Sequence, residues 1–398
     1  MTELAQVDGV SKSRYGQRRC AAPPGVSEAE ALLTDLINRT CSVSPVQPSA
    51  PITLYGGGDM GRMARRYFEA LGHEVAYVID RDAEALRIDP FWSGVKVFHP
   101  DAVPARVKRE VQLLLCVATS PLKPLETALR AEGWTDIVPF YDVAESQRER
   151  HPLSNGWFAP PLDAYDSART SAVLARWDDD LSRAHHLQFL AWRLLREEWV
   201  FDGMRITDED RFLIPEILAR AGAMELIVDA GAHHGVVTRK LVALNGISRI
   251  VAIEPDAENR VILERSLADI THRITVYPFA LGDAPGEHVF HAGLGYASQL
   301  SATGQGTTRV VTLDNLALAP DFMKLHLEGA ELATLKGARE TLRRHRPILA
   351  ITTYHNADGI WRTPAWLMEH LPRYRFLFRT HSWCGTGAVV YALPEESE

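Results

Sequence analysis

Short apolar runs alternate with amphipathic stretches over most of the chain. Between residues 52 and 144 the runs Ile52–Tyr55, Val75–Ile79, 111–118 and 137–140 are separated by segments with apolar residues at helical spacing. Such alternation predicts βαβ units and a parallel sheet. From 147 to 222 comparable runs are missing, while Leu187, Leu190, Leu194 and Leu195 recur at helical spacing and Trp177, Trp192 and Trp199 add bulk, which predicts a helical connector. At Met224 the first pattern resumes, with Leu226–Ala230, 250–253, Ile274–Tyr277, Phe322–Leu325 and 348–351 as strands. Residues 374–378 and 387–391 are β-rich with little helix between them, the pattern of an antiparallel hairpin closing a sheet edge. Ahead of all this, residues 1–49 start polar and basic, carry one potential helix at 27–38 and end Ser/Pro-rich, as a tail would. The expected division is a tail over 1–49, an α/β domain over 50–146, the connector over 147–222 and a second α/β domain over 223–398.

Length and charge narrow the function. At 398 residues the chain exceeds one ordinary core. With 43 Lys and Arg against 51 Asp and Glu, a net charge of -8 is the wrong sign for a phosphate backbone, so no nucleic-acid partner is expected. The longest apolar stretches fall far short of the roughly 20 residues of a membrane span. Cys20, Cys41, Cys116 and Cys384 are scattered, without a CxxC, which together with an N-terminus unlike a secretory leader points to the cytoplasm.

Two glycine loops carry the chemistry. In the first, Gly56, Gly58 and Gly61 follow a strand and open a helix, and Asp80 ends the next strand. That order is the nucleotide-binding fingerprint: a tight turn, close backbone approach, helix–strand packing and an acid for a ribose. Its bland alternative is a turn that binds nothing. In the second, Asp229 ends the strand, Gly231 and Gly235 are four apart, and Glu254 ends the following strand. A carboxylate at Glu254 matches the two hydroxyls of a ribose. An acid inside the loop suits a ligand with a cationic group and no phosphate, favouring a nucleoside bearing an amino acid over a dinucleotide; a plain turn with surface acids is the alternative. His233 and His234 adjoin on this loop, but neighbours on a loop point differently and no third ligand has recognisable spacing, so no metal is expected. His185 and His186 fall in a helical stretch as surface or packing residues.

Asp229-Ala-Gly-Ala with Gly235, 253–256 (Ile-Glu-Pro-Asp), 279–283 (Phe-Ala-Leu-Gly-Asp), 312–314 and above all Lys324-Leu-His-Leu-Glu328-Gly-Ala-Glu331 resemble, in content and order, the FkbM family of S-adenosylmethionine-dependent methyltransferases. The resemblance covers roughly residues 224–393. It implies a class I methyltransferase fold, a cofactor loop of Asp229, Gly231 and Gly235, a ribose held by Glu254 with Asp256 beside it, and an adenine near Phe279, Ala280 and Asp283. It also implies methylation of a hydroxyl, commonly of a sugar or natural product, as in members found with polysaccharide biosynthesis. One departure is clear: His326 stands where the family usually has aspartate.

His326 ends a strand, where open α/β sheets place their ligands, and Glu328 opens the helical segment behind it. Leu332, Leu335 and Leu342 mark one helix running to 346, with Glu328 and Glu331 as helix-start acids or substrate contacts. His355 follows a strand of the same sheet. The expectation is therefore two Rossmann-like doubly wound domains joined by a helical connector. The second is an O-methyltransferase with catalytic candidates His326, Glu328 and His355, an imidazole serving as base. The first domain is expected to take a nucleotide or nucleotide sugar, and a homo-oligomer is compatible with the sequence. A nicotinamide-dependent oxidoreductase is the rival, though no hydride-transfer set lies beside Gly56–Gly61; a non-catalytic nucleotide-sugar-binding module is the third reading.

Overall fold

The computed structural model describes residues 13–151, 153 and 156–395; the first 12 residues of the expected tail lie outside them. In chain order, β1 (Gly16–Cys20) precedes a first sheet of β2 (Ile52–Tyr55), β3 (Val75–Ile79), β4 (Lys96–Phe98), β5 (Gln112–Leu115) and β6 (Asp136–Pro139), and β7 (Glu197–Phe201) follows. The first sheet is parallel with order β4-β3-β2-β5-β6. The chain thus reverses direction of travel across the sheet beside β2, and the carboxyl ends of β2 and β5 open a crevice there.

The second sheet uses β8 (Leu226–Ala230), β9 (Arg249–Ile253) and β10 (Ile274–Tyr277). A side sheet follows, of β11 (Ala280–Leu281), β12 (Gly286–His291), β13 (Gln299–Leu300) and β14 (Gly306–Val311), before β15 (Phe322–Leu325), β16 (Ile348–Thr352), β17 (Tyr374–Thr380) and β18 (Ala388–Pro394) complete the main sheet. Its order is β10-β9-β8-β15-β16-β18-β17, parallel through β16 and antiparallel at β18 and β17. Strands β8, β15 and β16 are buried nearly throughout, because helices cover both faces of a parallel sheet and leave no polar side for alternation.

Four expectations need correction. The segment before residue 50 is more than a tail, since β1 pairs in parallel with β7 and the helix Val26–Ile37 packs Ala29, Leu33 and Leu36 inward. The connector holds a strand as well as helices. Neither was legible because Gly-Gln-Arg-Arg-Cys is polar and Glu-Glu-Trp-Val-Phe has only three consecutive apolar residues, and their pairing partners are far apart in sequence. The helix expected from Glu331 to 346 is two helices, Glu331–Lys336 and Arg339–His345, broken at Gly337. The side sheet escaped notice because β12 exposes most of its residues and β14 half of them.

The connector also does more than join. Its helix Asp180–Leu195 is buried on nearly every face from Ser182 onward. Leu187, Phe189 and Leu190 share one continuous core with Leu54 and Val138 of the first sheet and Val228, Met323 and Leu349 of the second. Several polar side chains on this helix hydrogen-bond to neighbouring segments. His186 meets the Ile360 carbonyl at 2.7 Å and accepts from Trp177 Nε1 at 3.0 Å, and His185 lies 2.6 Å from Thr380 Oγ1, so both histidines are packing residues. Arg193, fully buried, donates to the carbonyls of Tyr354 (2.8 Å), Asn356 (3.2 Å), Gly385 (3.3 Å) and Gly156, pinning the loops that follow β16 and β17. Burial lowers its guanidinium to about 9. Among the described residues no helix is long and apolar enough to cross a membrane.

Candidate active site

The two glycine loops face one cavity of about 670 Å³, within the range of small-molecule sites. Gly56, Gly58, Asp80 and residues 116–119 line one side; Gly231, His233, Glu254, Phe279, Ala280 and Leu281 line the other; His326, Glu328 and Tyr354 complete it. Each loop is built as its spacing requires. A Cβ on Gly61 would lie 2.1 Å from the Gly56 carbonyl oxygen, so only glycine lets the helix Asp59–Ala70 close on its strand. Gly231 has φ +75°, and a Cβ there would lie 1.9 Å from the His326 carbonyl oxygen, so glycine lets the second loop seat directly against the end of β15.

The acids at the ends of β3 and β9 are wired alike. Asp80 accepts from the Gly57 amide at 2.7 Å and the Asp82 amide at 2.8 Å. Glu254 accepts from the His233 amide at 2.8 Å and the Asp256 amide at 3.0 Å. Each carboxylate clamps its own glycine loop and keeps acceptor capacity for a diol. Burial pushes the Glu254 carboxyl above its ordinary value, and the two amides oppose that push.

Other expected cofactor residues stand behind the wall. Asp229 does not await a ligand's cationic group: it is fully buried, with Lys324 Nζ 2.9 Å from Oδ1 and Thr238 Oγ1 donating to Oδ2 at 2.6 Å. Lys324 also donates to the Gly231 carbonyl at 2.7 Å, so the pair stitches the loop to β15. Asp256 caps the helix Ala257–Ser266 and accepts from the Gly293 amide and Ser298 Oγ. Gly235 starts the helix Val236–Val242, and Asp283 is exposed on a turn. His233 and His234 do not point differently. A left-handed His233, φ 49°, stacks the two rings at 3.5 Å, and His233 Nε2 is buried without a hydrogen-bond partner at the cavity wall.

The three catalytic candidates converge. His326 Nε2 lies 3.1 Å from Glu328 Oε1, His355 Nε2 lies 3.3 Å from that same oxygen, and His355 Nδ1 lies 2.7 Å from Glu331 Oε1. Glu328 reaches inward because it takes φ 50° at the turn after β15, a costly conformation for a non-glycine residue. Glu331 is fixed by Thr352 Oγ1 at 2.7 Å and the amides of Leu327 and Gly329 at 2.9 and 3.0 Å. Tyr354, unlike His355, reaches the cavity wall; its hydroxyl lies 3.2 Å from His326 Nε2 and accepts from Arg211 at 2.9 Å. Burial drives His326 down to about 3. Burial also opposes charge on His355, but Glu328 and Glu331 outweigh it and hold that imidazole well above the ordinary histidine value. Lys324 stands in the quoted motif without an assigned role there, and Glu331, expected as a helix-start acid or substrate contact, instead orients His355; Arg211, in a polar stretch of the connector, carries no local signal at all.

Residues 229–378 match the Methyltransferase FkbM domain. The chain is similar in fold to a methyltransferase FkbM from Methylobacillus flagellatus KT, with 19% identity, TM-score 0.51, and coverage of 92% of this chain and 98% of that one. Among other solved structures, a precorrin-6y C5,15-methyltransferase from Geobacter metallireducens GS-15 shares 14% identity over 49% of this chain and 96% of its own, with TM-score 0.29. A methyltransferase from Geobacter sulfurreducens shares 15% over 48% and 82%, with TM-score 0.30. No curated protein matches this chain by sequence. The domain match thus places a methyltransferase domain of the FkbM type over residues 229–378, on the sheet ordered β10-β9-β8-β15-β16-β18-β17.

Proposed function

We propose that the protein is an S-adenosylmethionine-dependent O-methyltransferase acting on a hydroxyl of a sugar, a polysaccharide precursor or a small natural product. The observation that carries this reading is a single cavity bounded by Glu254 on one wall and the His326–Glu328 cluster on another. When bound, the cofactor supplies an electrophilic methyl group on a sulfonium. Glu254 has lone pairs left for a ribose diol, Phe279, Ala280 and Leu281 offer an apolar wall to a base, and the orphaned His233 Nε2 awaits a polar partner. These features fit the cofactor. His326, Glu328 and Tyr354 then hold the acceptor's O–H at the cavity wall, and the cluster assists loss of its proton. Holding both partners in one cavity accounts for much of the acceleration such a displacement needs.

The first domain supports an acceptor carried on a nucleotide. Asp80 repeats the wiring of Glu254 and lines the same cavity, and Gly58 leaves open space in front of the helix Asp59–Ala70. Calorimetry with S-adenosylmethionine tests the core of the reading: Glu254→Gln turns an amide donor toward backbone donors and should weaken binding by about 1–3 kcal/mol, roughly 5- to 150-fold. Unchanged affinity in that variant, or no binding to the wild type, sinks the assignment. For the acceptor, mass spectrometry of nucleotide sugars and free glycosides incubated with enzyme and cofactor should show methylation at oxygen.

A further inference from the structure

We infer that His326, Glu328 and His355 form a binding site for a divalent transition-metal ion. One potential ligand atom from each of the three residues lies within 4.8 Å of the other two, and both His326 Nε2 and His355 Nε2 approach Glu328 Oε1. Two of the separations are 3.1 and 3.3 Å. Nitrogen and oxygen donors bound tetrahedrally at about 2.0–2.1 Å sit roughly 3.3 Å apart, so the side chains are already spaced as ligands of one ion. The imidazole rings lie parallel, 9° between planes and 5.1 Å between centroids, and both Nε2 atoms approach Glu328 Oε1.

Two independent features point to an ion. His355 Nε2 is buried and aimed into the cluster, with Glu328 Oε1 3.3 Å away and no well-formed hydrogen bond. Its other nitrogen is anchored on Glu331, which is in turn held by Thr352 and two backbone amides. A histidine oriented by a carboxylate through Nδ1, with Nε2 left for the metal, is the outer-sphere arrangement that metal sites use to set the ring and raise its basicity. Charge agrees: two carboxylates, Glu328 and Glu331, outnumber the one nearby guanidinium, Arg211, which is engaged by Tyr354.

The donor set selects the ion. Two imidazoles and one carboxylate suit Zn²⁺, Co²⁺, Fe²⁺ or Mn²⁺, whereas Mg²⁺ and Ca²⁺ prefer oxygen ligands. Because His326 and Glu328 belong to the cavity wall, the open coordination positions face the chamber. A hydroxyl or a vicinal diol of the acceptor is the ligand class that fills them, and an ion there lowers the hydroxyl's pKa as it lowers that of water. This use of the ion rests on the methyl-transfer reading; the site itself rests on the geometry alone.

The test uses the untagged full chain, stripped with chelator and titrated with Co²⁺. One equivalent should bind per chain with visible ligand-field bands, displaced by Zn²⁺ and absent in both His326→Ala and His355→Ala. Glu331→Gln, which keeps all three ligands, should weaken Co²⁺ binding 10- to 100-fold. Circular dichroism and calorimetry with S-adenosylmethionine establish that each variant is folded, and Glu328→Gln serves if an alanine variant is not. No stoichiometric Co²⁺ binding by wild type overturns the site, as do bands retained in both histidine variants. Wild type that binds S-adenosylmethionine but no ion refutes the metal alone, and wild type that binds the ion but no S-adenosylmethionine refutes the methyl-transfer reading alone.

Discussion

Removing the ammonium of Lys324 asks what Asp229 is for. In Lys324→Met the stem volume is kept, so packing changes little. The Asp229 carboxylate, fully buried, is left with the Thr238 hydroxyl at 2.6 Å as its remaining side-chain partner, and the Gly231 carbonyl loses a donor at 2.7 Å. Breaking a buried pair from one side costs about 3–5 kcal/mol, because the stranded charge has no water to return to. Asp229→Asn alone strands the Lys324 ammonium and should cost a similar amount. The double variant Lys324→Met with Asp229→Asn strands no charge, so it should be more stable than Lys324→Met by about 1–3 kcal/mol despite carrying one substitution more. Urea denaturation followed by circular dichroism reads the stabilities from midpoints and slopes, and calorimetry reads cofactor affinity in parallel. Additive destabilisation in the double variant would falsify the pairing argument. A wild-type-like midpoint in Asp229→Asn, with a large loss of affinity, would return Asp229 to the role of a direct ligand for a cationic group.

Other consequences follow from single contacts. Gly231→Ala should cost several fold in cofactor affinity and more in turnover, since its Cβ would meet the His326 carbonyl oxygen at 1.9 Å and shift both the loop and the end of β15; steady-state kinetics at wild-type rates would refute that seating. Arg193→Met strands carbonyls of Tyr354, Asn356, Gly385 and Gly156, and should lower stability by about 3–5 kcal/mol, read as a drop in urea midpoint. Asp80→Asn should leave S-adenosylmethionine affinity within about twofold while raising the acceptor's KM, because Asp80 faces the cavity from the first domain; an equal loss of cofactor affinity would place the cofactor across both loops.

What the sequence by itself determined is local. Runs such as Leu226–Ala230 and Phe322–Leu325 announced buried parallel strands, because a strand covered on both faces has no polar positions to show. Gly231 and Glu254 were legible as a loop and its acid, and His326 and His355 as strand-end residues, because each signal lies within one βα unit. Tertiary structure alone decided the rest. Asp229 and Lys324 lie on neighbouring strands of one sheet, and only their register, which sets the two residues side by side, converts a presumed ligand contact into an internal ion pair. His355 meets Glu328 and Glu331 because β16 runs parallel to β15, a pairing that no local period encodes. The short strands β1 and β7 likewise needed each other before either could be seen. The chamber itself exists because the buried connector helix shares its core with both sheets, bringing two glycine loops to face each other. Hydrophobic periodicity reports that a residue is buried; which residue it is buried against depends on chain closure over long separations, and the chemistry of this site is made by those closures.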